Sequence, residues 1–200
     1  MTDGLTLDLT GKTAVVTGST QGIGLAIARR LAEAGAEVVI NGRNEERVAR
    51  AVESLNGLGA RGVAADVTTA EGAQSLMDAA GDVDVLVNNL GIFGSTPALE
   101  IDDDEWRRFF EVNVLSAARL TRLVLPGMTE RGWGRVLNIA SDSAIVIPEE
   151  MIHYGASKSA LLAMSRGYAK AASGTGVTVN SVIAGPTHTE GVEDFVYEMV

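Results

Sequence analysis

Thr17-Gly18-Ser19-Thr20-Gln21-Gly22-Ile23-Gly24 follows a short apolar run, Thr13 to Thr17, and leads into a stretch with helical periodicity. A strand that turns through glycines directly into a helix aims backbone N–H groups and the positive end of the helix dipole at one point in space, which suits a pyrophosphate. A Cβ at Gly18 or Gly22 would crowd an approaching phosphate, and Gly24 lets the helix lie close to the strand. Three glycines alone also fit an ordinary tight turn between strand and helix, so the rest of the chain has to decide.

Working outward, short β-branched runs bounded by turn formers recur at Thr13 to Thr17, Val38 to Ile40, Gly62 to Ala65, Val83 to Val87, Arg135 to Ile139 and Val177 to Ile183. Longer amphipathic stretches separate them. Ile23, Ala26, Ile27, Arg30 and Leu31 define a helix over Gly22 to Ala34 that ends at Gly35. Asn44 is placed to cap a helix over Glu45 to Leu55, with two glutamates in its first turn where the dipole favours them. Asp102 opens a long helix toward Met128, whose Trp106, Phe109, Phe110, Val114 and Leu115 can bury a face against the sheet or another subunit. Met151 to Ala172 reads as an alanine-rich helix. This βαβα rhythm predicts an α/β fold: a three-layer, doubly wound parallel sheet of six strands.

The 200 residues are 46% apolar, enough for one well-buried domain with no internal linker. A formal charge of −10, from 26 acidic and 16 basic residues, disfavours nucleic acid and anionic membrane as partners and leaves a small molecule as the expected one. The absence of cysteine excludes thiolate nucleophiles, disulfides and Cys-based metal sites, and with only His153 and His188 no metal centre is expected. The segment Met1 to Leu9 lacks a basic leader and an apolar core, and no apolar run has the length of a membrane span. A soluble cytoplasmic protein is the expectation.

Tyr154 and Lys158 stand one helical turn apart, so both side chains share a helix face. A free phenol with a pKa of about 10 is poorly matched to proton transfer at neutral pH, and a neighbouring ammonium favours its ionised form. Ser141 follows the fifth strand at the carboxyl edge of the sheet, where open α/β folds place ligands, and its hydroxyl can hydrogen-bond a substrate oxygen. Asn113 lies inside a helix, where asparagine is a poor former, which marks its side chain as recruited elsewhere.

The spacing G-x-x-x-G-x-G, Asn88-Asn89-Leu90-Gly91 after the fourth strand, and Asn113, Ser141, Tyr154 and Lys158 in order resemble the short-chain dehydrogenase/reductase family over Thr10 to Thr189. The resemblance implies a Rossmann fold with strand order 3-2-1-4-5-6, and an NAD(P)-dependent oxidoreductase that interconverts an alcohol and a ketone. It makes Tyr154 the general acid/base, gives Lys158 a second role on the nicotinamide ribose, and has Asn113 support a water-mediated proton relay. For cofactor binding it implies Gly18, Thr20, Gln21, Gly22, Ile23 and Gly24 at the phosphates, and Asp66 with Val67 near the adenine. Asn88 and Gly91 would brace the cofactor's side, and Gly185, Thr187 and Thr189 would approach the nicotinamide carboxamide. Leu90 is bulkier than the family's alanine, and Ala184 replaces a proline. Family members continue beyond this length with a further helix and a seventh strand, so the carboxyl end is expected to be truncated. They also assemble as homodimers or homotetramers through the helices bearing Asn113 and Tyr154.

At the end of the second strand an acidic residue would accept bonds from an adenosine ribose and repel a 2′-phosphate. Here Asn41-Gly42-Arg43-Asn44 offers a guanidinium instead, which favours NADP(H) over NAD(H), although Gln21 stands where many NADP-preferring relatives carry a basic residue. Substrate specificity is expected from Ile92 to Thr96, Ala144 to His153 and the residues after Thr189. Two rival readings keep the fold: a catalytically weak nucleotide sensor or structural domain, and an epimerase or dehydratase, which would need a larger substrate domain.

Overall fold

The computed structural model describes residues 7–187. Six parallel strands form one sheet in the order β3-β2-β1-β4-β5-β6. They are β1 (Thr13–Val16), β2 (Glu37–Gly42), β3 (Ala60–Ala64), β4 (Val85–Asn88), β5 (Gly134–Ser141) and β6 (Val177–Ala184). Six α-helices accompany them: α1 (Gly22–Glu33), α2 (Glu45–Ser54), α3 (Ala70–Ala80), α4 (Asp103–Phe110), α5 (Ser116–Glu130) and α6 (Ile152–Ala171). The doubly wound architecture read from the sequence is the one observed.

Strands buried on both faces read as nearly continuous apolar runs, and the pleat sorts their side chains into two cores. Ala14, Val16, Val38, Ile40, Val85 and Val87 pack with α1 and α2 through Ala28, Ala32, Val48 and Ala51. Val15, Val39, Leu86 and Val136 pack on the opposite face with Leu76 of α3, Leu120 and Val124 of α5 and Ala172 beyond α6. The register, Val15 beside Val39 and Leu86, keeps each set on its own side. The order in which strands are added reverses between β1 and β4, with all strands still parallel, and this switch point opens a crevice at the carboxyl ends of the strands.

The local signals behave as physical chemistry requires. Asn44 Oδ1 accepts the Arg47 N–H at 2.9 Å and Asp102 Oδ1 accepts the Glu105 N–H at 2.8 Å, each cap contributing about 1 kcal/mol. Gly35 takes φ 92°, beyond the end of α1. Three features differ from the expectation. The long helix from Asp102 to Met128 is broken into α4 and α5 by a π-helical turn over Glu111–Leu115. A one-turn 3-10 segment, Glu149–Met151, precedes α6. Helix α3, unmarked by the sequence reading, is capped by Thr69 Oγ1, which accepts the Gly72 N–H at 3.0 Å. Of the apolar residues read for the broken helix, Phe109 and Val114 are buried while Leu115 is exposed.

Candidate active site and dinucleotide cleft

Gly18 and Gly22 both adopt positive φ, 58° and 55°, so the turn after β1 needs glycine at these two points. A Cβ on Gly24 would stand 2.5 Å from both Gly18 O and Asn89 Nδ2, which bears out its reading as a close-packing residue. Asn89 stitches the turn to the end of β4. Its Nδ2 donates to Thr17 O at 3.0 Å and to Gly18 O at 3.1 Å, and Thr17 Oγ1 accepts from the backbone N–H groups of Asn89 and Leu90.

Asn88 was expected to brace a cofactor, and its side chain points elsewhere. It shares a sheet face with Leu86, so the pleat turns it inward, where Nδ2 donates to Asn138 Oδ1 at 2.8 Å and Thr121 Oγ1 at 3.2 Å. Asn89, not Asn88, lines the cleft.

Two adjoining hollows share Gly91 and Ile92 in their walls. One, of about 660 Å³, is lined by Gly18, Thr20, Gln21, Arg43, Asp66 and Val67, so six residues expected around adenosine and phosphates come together. Its basic groups are Arg43 and Arg47. Arg43 is exposed, with Nη1 4.0 Å from Asp66 Oδ2. The Asp66 Oδ1 atom accepts from Thr68 N and Oγ1, which holds this carboxylate over its own loop. Arg47 went unnoticed in the sequence. Its Nη2 donates to Gln21 Oε1 at 2.8 Å, so Gln21 holds a guanidinium at the position where it lacks a basic group of its own. The cap at Asn44 was the available signal, since it sets Arg47 in the first turn of α2 beside the phosphate turn.

The second hollow, about 360 Å³, is lined by Ile23, Gly91, Ser141, Tyr154, Lys158, Gly185 and Thr187, with Phe93, Asp142 and Met151. Thr189 lies outside the described residues, as does His188. Strand β5 delivers Ser141 at its last position, and α6 delivers Tyr154 and Lys158 on one face. Lys158 is 5% exposed; its Nζ donates to Ile139 O at 2.8 Å and lies 5.8 Å from the centroid of the Tyr154 ring. Burial pushes the Lys158 pKa down to about 8. Burial raises the Tyr154 pKa above the ordinary phenol value; a Ser141 hydrogen bond opposes this and the Asp142 charge adds to it. In the free protein, burial therefore outweighs the expected pull of the ammonium, and Tyr154 keeps its proton.

The π-helical turn explains Asn113. It rotates the side chain out of the helical ladder, so Oδ1 accepts from Ile92 N at 2.8 Å while Nδ2 donates to Ile92 O at 3.0 Å and to Ser157 Oγ at 2.9 Å. One amide thus ties the Gly91–Ile92 loop to the helix carrying Tyr154 and Lys158. Gly91 approaches this cluster closely: a Cβ there would meet Lys158 Nζ at 3.1 Å and Asn113 Oδ1 at 3.4 Å.

Of the expected specificity loops, Ile92, Phe93 and Met151 reach the cavity, and a bond from Thr96 N to Glu150 O at 2.8 Å joins the two segments. Ile145 and Val146 are exposed. His153 is fully buried against Phe109, ring centroids 4.1 Å apart, and takes no part in the site.

The short chain dehydrogenase family profile matches residues 12–198. The chain belongs to this family. As a short-chain dehydrogenase it is 53% identical over 191 residues to an uncharacterized oxidoreductase, YvaG, of Bacillus subtilis, covering 94% of this chain and 72% of that protein. It is 38% identical over 183 residues to a D-beta-hydroxybutyrate dehydrogenase of Cupriavidus necator, covering 88% and 71% of the two chains. The solved structure of L-sorbose reductase from Gluconobacter frateurii, complexed with NADPH and L-sorbose, superposes with a TM-score of 0.93 at 33% identity, covering 98% of this chain and 77% of that one. No helix among the described residues is long and apolar enough to cross a membrane.

Proposed function

We propose that this short-chain dehydrogenase uses NADP(H) to interconvert a small or medium alcohol and its ketone, with Tyr154 as general acid/base. The observation that carries the proposal is the meeting of Ser141, Tyr154 and Lys158 in one cavity that continues, through Gly91 and Ile92, into the cleft of the glycine turn. The two hollows fit the two halves of a dinucleotide: apolar walls and Thr187 at one end, a glycine turn and two guanidiniums at the other. The bound nicotinamide supplies or accepts the hydride.

The chain's own residues handle the proton. In reduction the protonated Tyr154 gives its proton to the carbonyl oxygen, and Ser141 Oγ orients that oxygen by a hydrogen bond. Lys158, held against Ile139 O, lies under the phenol and stabilises the phenolate left behind. Asn113 acts through the loop and helix it joins. In oxidation the same groups run in reverse.

Arg43 and Arg47 support NADP(H) over NAD(H), because two guanidiniums at the rim can pair a 2′-phosphate and no carboxylate of β2 faces a free 2′-hydroxyl. The names of the relatives span a hydroxy acid and a neutral ketose, so family membership leaves the substrate to the pocket. Exposed Leu115, the last residue of the π-helical turn, supports a homo-oligomeric assembly through the helices bearing Asn113 and Tyr154.

Titration with NADPH, NADH and 2′,5′-ADP, followed by protein fluorescence, tests the cofactor half of the reading. Tighter binding of NADPH than NADH, together with competition by 2′,5′-ADP, is expected; equal affinities would remove the NADP preference.

A further inference from the structure

We propose that Asp142 selects the substrate by charge: its carboxylate, in the cavity wall beside Ser141, excludes carbonyl compounds with an anionic group next to the reacting carbon and favours uncharged ones with a hydroxyl there. The inference rests on the reductase reading above and concerns the substrate class of the same cavity.

Among the described residues that line the cavity, only Asp142 and Lys158 carry charge. Lys158 is buried, with its ammonium donating to Ile139 O, whereas Asp142 is exposed at the mouth. The surrounding wall is apolar, with Ile23, Ile92, Phe93, Met151 and Pro186, and its described residues offer an entering carboxylate no further cation. An anion on the carbon next to a carbonyl held by Ser141 would lie within a few ångströms of the Asp142 charge, close enough for repulsion to persist at an exposed site.

The hydrogen bonds lead to the same class. Ser141 Oγ donates to Asp142 Oδ1 at 3.0 Å and accepts from Ser143 N at 3.2 Å. A serine has one hydroxyl proton, so Ser141 cannot donate at once to Asp142, to the Tyr154 phenol and to a substrate carbonyl. When the proton turns to the substrate, the carboxylate loses its donor. A hydroxyl on the adjacent carbon restores one, and a methyl group or a carboxylate cannot. Reduction then gives a vicinal diol, with the hydride delivered to the carbonyl carbon and the Tyr154 proton to its oxygen.

The charge of Asp142 also reaches Tyr154, whose pKa it helps to hold up. The other groups around the phenol are Lys158 on α6 and Ser141 at the end of β5. Neutralising Asp142 should therefore let Tyr154 ionise at lower pH, whereas Asp142→Glu, which keeps the charge, should leave it in place.

The test uses the full-length protein and three compounds of one shape, 1-hydroxybutan-2-one, pentan-3-one and 2-oxobutanoate, with NADPH as reductant. Wild type should show the highest kcat/KM for the hydroxyketone, at least about tenfold above the oxoacid. Asp142→Asn should collapse that ratio, Asp142→Glu should retain it, and NADPH affinity should stay unchanged in both. Ultraviolet titration of the cofactor-free proteins, with Tyr154→Phe assigning the phenol, should place Tyr154 ionisation lower in Asp142→Asn than in wild type. Turnover with an unchanged ratio in Asp142→Asn, or an unshifted Tyr154, would overturn the role of Asp142 and leave the reductase reading intact. No turnover of any compound by wild type that binds NADPH would overturn both.

Discussion

The two ends of the cleft are built differently. At the Tyr154 end the working groups are buried or half-buried and tied by named bonds: Lys158 to Ile139 O, Asn113 to Ile92 and Ser157, and Ser141 to its neighbours. At the adenosine end the working groups are exposed arginines, one loosely beside Asp66 and the other held by Gln21. Buried, pre-positioned groups act strongly on charge that develops beside them, because little solvent intervenes. Exposed guanidiniums are screened, so they tune affinity for one cofactor over another by modest factors. Chemistry is thus placed where removal of a single group costs most, and cofactor choice where a substitution can shift it.

The largest expected effect that could break this contrast concerns Lys158. Its folded pKa of about 8 lies below that of an unfolded lysine, so between these values the unfolded chain holds a proton that the folded one has shed. Stability of the cofactor-free protein should therefore rise with pH above 8, and below 8 the penalty for burying the ammonium is complete. Lys158→Met removes this rise, a difference of about 2–3 kcal/mol between pH 8 and pH 10 in denaturant midpoints of the two proteins. Parallel curves would show that Lys158 is not an isolated buried cation.

Asn113→Leu comes next. It deletes three hydrogen bonds, that to Ser157 buried and the two to Ile92 part-buried, which should cost about 2 kcal/mol and lower kcat more than it weakens NADPH binding. A loss of stability with kcat untouched would reduce Asn113 to a packing residue. The smallest effects belong to the rim. Arg43→Ala and Arg47→Ala should each weaken NADPH about tenfold while leaving NADH nearly unchanged. A change as large as that at the buried end would overturn the distinction between the two ends.

Much of the architecture was legible because the rules involved are local. Alternating apolar runs gave the strands, Asn44 and Asp102 gave the starts of α2 and α4, and Gly35 gave the end of α1. What escaped depended on direction or on distant partners. The residue type of Asn113 hinted at recruitment, but its partners Ile92 and Ser157 are far away in sequence, and nothing local marks the π-helical turn that aims it at them. Asn88 and Asn89 look equivalent in a string, and the pleat separates them, sending the first inward to Asn138 and leaving the second on the glycine turn. Arg47 went unnoticed because its role depends on Gln21, 26 residues away, and Asp142 was overshadowed by the serine before it.

The central claim is that the half-buried Tyr154 phenol gives up the proton that accompanies hydride transfer. Its most direct test is Tyr154→Phe, with NADPH affinity measured by fluorescence titration and reduction followed under single-turnover conditions on a ketone that wild type reduces. Retained NADPH binding with reduction slowed by about a thousandfold is the result predicted. Reduction at the wild-type rate by the phenylalanine protein would contradict it.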